Sequence, residues 1–311
     1  MPLQPFILEK QYRDYIWGGD RLRPGHSPTA EVWAIHENNT VIGGDYAGRL
    51  LTSIATELGT DLLGTRVTTR IGSHFPVLIK LLDCNQWLSL QVHPNDEQVR
   101  ELKGAGFFGK TEAWYFLDTV NNAEILCGTK DGVTKADIVR SVRDGTILDC
   151  ANRVPVTTGD HVLIPAGSIH ALGPGMLVFE VQESSDITYR VFDWNRPASE
   201  GRELHIEQSI RVIDPGIRVK VSTAPIDSPI ARLESCEYFS LDKLVPEDSD
   251  IIAHPAGESF HALTVISGEA SVKGDGWSFG LSQYDSLLVP ASCEEYRIEK
   301  QSGCELLRVT A

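Results

Sequence analysis

Two stretches of the chain that lie far apart carry the same pattern. Residues 160–170 read DHVLIPAGSIH and residues 285–295 read DSLLVPASCEE, so an aspartate, an apolar run and a Pro-Ala turn recur without gaps. A supersecondary unit that recurs at such a long spacing predicts two copies of one β-domain. The copies differ at their last position, where His170 of the first stretch corresponds to Glu295 of the second.

Short segments rich in apolar, β-branched and aromatic residues fill most of the chain. FPVLIKLLD, WLSLQVH, TEAWYFLD and MLVFEVQ, separated by Gly, Asp and Asn turns, predict strands. Apolar residues at helical spacing predict helices over 47–64, 95–104 and 134–150, and one more short helix after Arg202. The predicted fold class is mainly β, with helices inserted mainly in the N-terminal half.

The turn at residues 160–170 resembles the second conserved motif of cupins, which are small double-sheet β-barrels. The resemblance implies two cupin-type barrels: a metal-binding catalytic domain with helical insertions over 1–204, and a cupin-like barrel without metal ligands over 205–311. Because only the first copy carries His170, we expect any metal ion to be bound there.

Charge and cysteine content exclude several kinds of partner. A net charge of −15 disfavours nucleic acid and anionic membranes. We see neither a basic start followed by an apolar run nor a stretch of about 18 apolar residues, so we predict no signal peptide and no membrane span. The six cysteines contain no C-x-x-C, which is typical of reduced thiols. We therefore expect a cytoplasmic protein. As separate expectations, its partner is a small molecule and the chain is a monomer or a homodimer.

Polar residues two apart on strand faces supply candidate metal ligands. Gln91 and His93 share one face of WLSLQVH, and Lys110 and Glu112 pair in the same way, since strand side chains alternate. With His170, these residues offer an amide, two imidazoles and a carboxylate, a set that suits Zn²⁺ and admits Fe²⁺ or Mn²⁺. A single histidine on a strand is more often a surface or core residue, but the joint pattern favours a metal site.

The segment MLVFEVQESSDITYRVFDWNR follows His170 directly. Glu180 and Gln182 share one strand face, and Asp186 and Arg190 have the same parity, although ESSD predicts a bend. An isolated segment of this kind is more often a charged outer strand. Its position after the histidine turn favours a wall of the site.

Taken together, these motifs resemble those of type I mannose-6-phosphate isomerases in their short bacterial form. LSLQVHPND, GKTEAWYFLD, IPAGSIHALG and SSDITYRVFDWNR carry the resemblance, which begins at YIWGGDRL (15–22) and AEVWAIHENN (30–39) and continues to REL at 202–204. It weakens in the C-terminal barrel. One departure is Ala30, where relatives often have glycine; we expect it to alter a turn and leave the site unchanged.

The resemblance implies a function and a set of site residues. The family interconverts mannose 6-phosphate and fructose 6-phosphate through a cis-enediol. By this resemblance, one Zn²⁺ per chain is held by Gln91, His93, Glu112 and His170. The residues implied in catalysis are Arg190, Lys110, Glu180 and Asp186, the last two as candidates for proton transfer between which the resemblance does not choose. The residues implied in substrate binding are Ser89, Lys110 and Arg190.

Aldose–ketose isomerisation fits these residue types independently. A proton moves between C1 and C2 of a weak carbon acid, so a Lewis acid and a carboxylate shuttle both help, and the phosphate needs cations. Two alternatives stay open: a related sugar-phosphate isomerase with another substrate, and a non-catalytic metal cupin that binds sugars. Lys110, Glu180, Asp186 and Arg190 argue against the second, because a binder needs no proton shuttle.

Overall fold

The computed structural model describes residues 3–26, 28–104, 106–196, 202–225 and 228–311. Within these ranges the fold is mainly β, as predicted. The strands are β1 (Ile7–Leu8), β2 (Gln11–Arg13), β3 (Glu31–Ile35), β4 (Val41–Ile42), β5 (Val77–Cys84), β6 (Leu90–Val92), β7 (Glu112–Thr119), β8 (Glu124–Thr129), β9 (Ala151–Pro155), β10 (Asp160–Ile164), β11 (His170–Leu172), β12 (Met176–Glu183), β13 (Tyr189–Phe192), β14 (Val221–Thr223), β15 (Ile230–Ser235), β16 (Ser240–Leu244), β17 (Ile251–Ala253), β18 (His261–Ser267), β19 (Ala270–Gly274), β20 (Trp277–Leu281), β21 (Ser286–Val289), β22 (Tyr296–Ile298) and β23 (Glu305–Thr310). The helices are α1 (Leu51–Leu58), α2 (Thr60–Leu63), α3 (Thr65–Ile71), α4 (Asp96–Lys103), α5 (Lys135–Asp144) and α6 (Ile206–Val212), with a 3₁₀ turn at Ile147–Asp149.

Local sequence explains where these helices begin and end. Asn95 caps α4 and Thr134 caps α5, each through a capping box that satisfies otherwise unpaired backbone N–H groups. The helix predicted over 47–64 is divided, because Gly59 has a φ of 48° and separates α1 from α2. The helix predicted over 134–150 ends at Asp144, since Gly145 adopts the left-handed conformation. No helix in the described ranges combines the length and apolar character needed to cross a membrane.

The chain forms two compact units. The C-terminal unit comprises the described residues of Met1–Gln11, Trp33–Lys80 and Ala224–Ala311, and the central unit comprises those of Tyr12–Val32 and Leu81–Thr223. These bounds differ from the predicted division at residue 204. Residues 33–80 group with the C-terminal segment because, for example, Phe75 stacks on Phe260 with ring centroids 5.0 Å apart.

Two sheets position the candidate site in the central unit. One has the strand order β14-β10-β7-β12-β5-β3-β2 and the other has the order β13-β6-β11-β8-β9. Both contribute to one buried apolar cluster, which includes Trp114 and Val178 from the first sheet and Ile125 and Leu172 from the second. A second cluster packs the β6 and β11 strands against α5 and α6. The site strands are therefore held by apolar packing.

The C-terminal unit repeats this strand order. Its sheets run β15-β16-β23-β18-β21 and β17-β22-β19-β20, which match β3-β5-β12-β7-β10 and β6-β11-β8-β9. Ile164 pairs with Glu112 and Val289 pairs with His261, so His261 is the counterpart of Glu112. The turn after the proline is one residue longer in the second copy.

The longer turn changes the predicted match between the two copies. β11 begins at His170 and β22 begins at Tyr296, so buried Tyr296, rather than exposed Glu295, corresponds to His170. Tyr296 Oη lies 2.8 Å from His261 Nδ1. A buried hydrogen bond between two side chains thus stands in the C-terminal unit where the central unit has candidate metal ligands.

Candidate metal centre

Three polar residues lie side by side across the sheet that contains β6. Gln91 is in the middle of β6 and pairs with His170 of β11 on one side and with Arg190 of β13 on the other. Because directly paired residues point to the same face, the three side chains project together. Residues that the sequence distributes over three segments are thereby brought into one row.

The other sheet supplies a carboxylate. Glu112 opens β7 and is fully buried. Its Oε1 lies 3.2 Å from His170 Nε2 and its Oε2 lies 3.4 Å from His93 Nε2. The two histidine Nε2 atoms are 3.1 Å apart. Ligand atoms of these three buried residues all lie within 4.8 Å of one another, which is the geometry of a site for a single metal ion.

Backbone hydrogen bonds tie the ligand segments together. β6 ends before His93, whereas the predicted strand ran through it, because Pro94 has no N–H to continue the ladder. The Lys110 N–H donates to the Pro94 carbonyl at 3.0 Å, and the Gly167 N–H donates to the His93 carbonyl at 2.8 Å. Gly167 has a φ of 90°, which a residue with a side chain rarely adopts, so the turn before His170 requires glycine.

A backbone carbonyl orients each histidine ring. Nδ1–H of His93 donates to the Ile187 carbonyl at 2.8 Å, and Nδ1–H of His170 donates to the Ser168 carbonyl at 2.9 Å. Since a carbonyl oxygen only accepts, each neutral ring presents a lone pair at Nε2. Two lone pairs that face each other across 3.1 Å repel, and a cation between them removes the repulsion. Such outer hydrogen bonds are typical of metal-binding histidines.

The protonation states also suit a metal ion. Burial alone would raise the pKa of Glu112, but the Lys110 ammonium, 3.0 Å from Oε2, and the two histidines hold it well below its usual value. Burial and the Lys110 charge lower the pKa of His93 to about 3, so the imidazole stays neutral. Neither Glu112 oxygen makes a hydrogen bond of normal geometry with any described residue. An ionised carboxylate and neutral imidazoles are the forms that bind metals.

Gln91 directs its amide toward the same point. Its Nε2 lies 3.2 Å from His170 Nε2. The two ends of an amide have nearly the same shape, and a rotation of 180° would present Oε1 at this position as a metal ligand. The structure therefore brings together all four residues that the sequence predicted as ligands.

The two predicted proton-transfer residues have different surroundings. Glu180 is buried, and its Oε2 accepts a hydrogen bond from Trp114 Nε1 at 2.9 Å. The Trp114 ring in turn meets the His170 ring edge-on, with centroids 5.5 Å apart. Asp186 is exposed and lines a cavity of about 340 Å³ beside Lys103. The contacts of the described residues thus connect Glu180, through Trp114, with the histidine cluster.

The predicted substrate residues lead to a cation that the sequence reasoning missed. Ser89 is fully buried, and its Oγ accepts a hydrogen bond from Arg202 Nη2 at 3.0 Å. Arg202 Nε lies 3.3 Å from Asp193 Oδ2, while its buried Nη1 finds no acceptor among the described residues. Nε of Arg190 is also buried, and it has no hydrogen-bond acceptor among the described residues. Arg202 belongs to the REL motif, which was the available signal.

Comparison with known proteins identifies the family. A family model described as "Phosphomannose isomerase type I, catalytic domain" matches residues 6–115. Mannose-6-phosphate isomerase ManA of Bacillus subtilis is 34% identical to this chain, with 98% of each sequence covered. The chain belongs to the type I phosphomannose isomerase family. Mannose-6-phosphate isomerase of Streptococcus mutans, another relative, is 32% identical with 95% of each sequence covered.

Solved structures agree with this membership of the phosphomannose isomerase family. The crystal structure of mannose 6-phosphate isomerase from Bacillus subtilis superimposes with a TM-score of 0.87 at 30% identity, covering 99% of both chains. A variant of phosphomannose isomerase from Salmonella typhimurium superimposes with a TM-score of 0.78 at 16% identity, which supports the fold alone. The resemblance read from the motifs is thereby confirmed.

Proposed function

We propose that this chain is a zinc-dependent isomerase that interconverts mannose 6-phosphate and fructose 6-phosphate through a cis-enediol. The buried cluster of His93, Glu112 and His170, whose ligand atoms all lie within 4.8 Å of one another, is the observation that carries the proposal. Membership of the family indicates the reaction, and the cluster provides a binding site for the metal ion that the proposed reaction requires.

The metal would be held by Gln91, His93, Glu112 and His170, one ion per chain. When bound, it supplies a Lewis acid that stabilises negative charge on the sugar oxygens. Zinc is the choice that this set of nitrogen and oxygen donors favours. Glutamine contributes no charge, so the ion keeps more of its positive charge than a second carboxylate would leave.

Glu180 is the residue that we assign to proton transfer between C1 and C2. Its carboxylate is buried and held by Trp114, so its position is fixed before substrate binds. Fixed geometry is what general-base catalysis requires, typically for a gain of about 10²-fold to 10⁴-fold. The exposed Asp186 has no such support, and we assign it a minor role.

Three cations complete the site. Arg190, in the same row as Gln91, has a buried Nε that can donate to an oxygen of the enediolate. The Lys110 ammonium is buried beside Glu112 and adds positive charge at the reacting end. Arg202, fixed by Ser89, has an Nη1 that finds no acceptor among the described residues and can donate to the phosphate, whose remote binding energy positions the sugar.

A coupled assay tests this function. Protein of known metal content is given mannose 6-phosphate, and fructose 6-phosphate is detected enzymatically. We expect turnover with this substrate that exceeds turnover with other aldose 6-phosphates and aldose 5-phosphates. Preference for another sugar phosphate would favour a related isomerase, and binding of sugars without turnover would favour a non-catalytic cupin.

A further inference from the structure

We infer that His205 is a positioning residue, which holds the backbone of Arg190 and thereby fixes the guanidinium in the row of site residues. The expected effect of His205 on catalysis rests on the proposed function. Its structural basis is a pair of hydrogen bonds between His205 and the Arg190 backbone. The His205 N–H donates to the Arg190 carbonyl at 2.8 Å, and the Arg190 N–H donates to His205 Nδ1 at 3.2 Å.

The place of Arg190 in the sheet explains why it needs such a partner. β13 is the last strand in the order β13-β6-β11-β8-β9, so no further strand of this sheet, as described, pairs with its outer edge. The N–H and C=O of a residue in an antiparallel strand point to the same side. Both groups of Arg190 are satisfied by His205, one through its backbone and one through its ring.

The pairing of β13 with β6 is also irregular at this point. Its register shifts between Arg190 and Phe192, as at a β-bulge. Bulges disrupt the ladder locally and re-aim side chains, and they are frequent beside active sites. An edge residue next to a bulge is poorly fixed by its own sheet. The two hydrogen bonds between His205 and the Arg190 backbone, called the His205 clamp below, therefore fix Arg190 where the β-ladder does not.

Displacement of Arg190 would move its guanidinium out of the row that it shares with Gln91 and His170. Arg190 pairs with Gln91, and Gln91 pairs with His170. A misplacement of about 1 Å at a catalytic group can cost about 10²-fold in rate. A loss of this kind should fall on kcat, because metal binding requires only Gln91, His170 and the other ligands, which His205 does not touch.

The chemistry of His205 suits an accepting role. Its Nδ1 must be unprotonated to accept from the Arg190 N–H. Burial and the nearby Arg190 charge lower the pKa of His205, which keeps the ring neutral. The Tyr189 ring packs beside it with centroids 5.8 Å apart. Asparagine can place an acceptor where Nδ1 lies, whereas alanine cannot.

The kinetic test compares His205→Ala, His205→Asn and the control His254→Ala, an exposed histidine of the C-terminal unit. His205→Ala should lower kcat by about 10-fold to 10²-fold with normal zinc content, and KM should change by less than kcat. His205→Asn should recover most of the loss, and the control should match the wild type. Equal losses in the Ala and Asn variants would overturn the inference.

A double-mutant cycle with Arg190→Lys separates positioning from a general structural effect. If His205 acts through Arg190, adding His205→Ala to Arg190→Lys should cost much less than it does alone. Effects that multiply to within about twofold would mean that the two residues act independently, and would overturn the inference.

Amide hydrogen exchange tests the clamp without any catalytic readout. The Arg190 amide should exchange at least about 10-fold faster in His205→Ala than in the wild type, and His205→Asn should restore protection. Unchanged exchange in His205→Ala would refute the clamp even in an active enzyme. An inactive wild-type protein would refute the proposed function, while this measurement would still decide on the clamp.

Discussion

Replacing His170 with alanine tests the metal centre where the two copies of the repeat differ most. The change removes one ligand atom, Nε2, which lies 3.2 Å from Glu112 Oε1 and 3.1 Å from His93 Nε2. Tyr296→Phe provides a matched control, because Tyr296 is the structural counterpart in the C-terminal unit. Glu295→Ala is a second control at the position that sequence alignment alone would choose.

The expected loss follows from the number of ligands. Zinc sites with four protein ligands bind with about 10–16 kcal/mol at pH 7, or roughly 2.5–4 kcal/mol per ligand. Removal of one ligand should therefore weaken binding by about 10²-fold to 10³-fold, at about 1.4 kcal/mol per factor of ten. Tyr296→Phe removes one hydrogen bond to His261 and no ligand, so its zinc affinity should stay at the wild-type value.

The assay is zinc titration against a competing chelator, with metal content measured by mass spectrometry. Circular dichroism shows whether each variant is folded. The wild type and both controls should retain about one zinc per chain at a free concentration where His170→Ala retains little. Wild-type affinity in a folded His170→Ala variant would refute the assignment. Loss of zinc in a folded Tyr296→Phe or Glu295→Ala variant would refute the single-site account.

Three further predictions concern the acid–base residue, the arginine and pH. In steady-state assays, Glu180→Gln should lower kcat by about 10²-fold or more with normal zinc content. Asp186→Asn should stay within about threefold of the wild type. The reverse order would assign proton transfer to Asp186. Arg190→Lys keeps the positive charge but loses the paired N–H donors of the planar guanidinium, so kcat should fall. A rise in KM alone would instead assign Arg190 to ground-state binding. Burial lowers the pKa of His261 to about 3, so the folded state resists a proton that the unfolded state accepts near pH 6.5. The contribution of His261 to stability should therefore be complete above pH 6.5 and fall by up to about 1.4 kcal/mol per pH unit below it. In urea titrations, His261→Gln should lose less stability than the wild type as the pH falls; equal slopes would contradict this prediction.

Much of the site could be predicted from the sequence because its signals are local. Strand parity pairs Lys110 with Glu112, and apolar residues at helical spacing indicate α4 and α5. The glycine-containing turn before His170 marks the first copy of the repeat. Each of these signals depends on neighbouring residues, which a single sequence displays.

The features that escaped prediction depend on distant residues or on the backbone. Arg202 reaches Ser89 across more than a hundred residues, and His205 binds the main chain of Arg190. The carbonyl that orients His93 belongs to Ile187, an apolar residue that gives no polar signal. The extra residue in the turn before Tyr296 is visible only once the strands are paired.

The grouping of residues 33–80 with the C-terminal segment could not be read from the sequence, for a similar reason. Residues 33–80 precede the site strands in sequence, but they group with the C-terminal segment. Their apolar helix faces show that they must be buried, but not against which segment. The variants of each unit test the predicted roles of the two regions, one catalytic and one without metal ligands.

The buried cluster of His93, Glu112 and His170 should make the isomerisation of mannose 6-phosphate dependent on a bound metal ion. The most direct measurement is turnover of this substrate by one preparation in three states: as purified, after chelation and dialysis, and after addition of one equivalent of Zn²⁺. Activity is expected in the first state, loss in the second and recovery in the third, with about one zinc per chain in both active states. Undiminished turnover by protein shown to contain no metal would contradict this expectation.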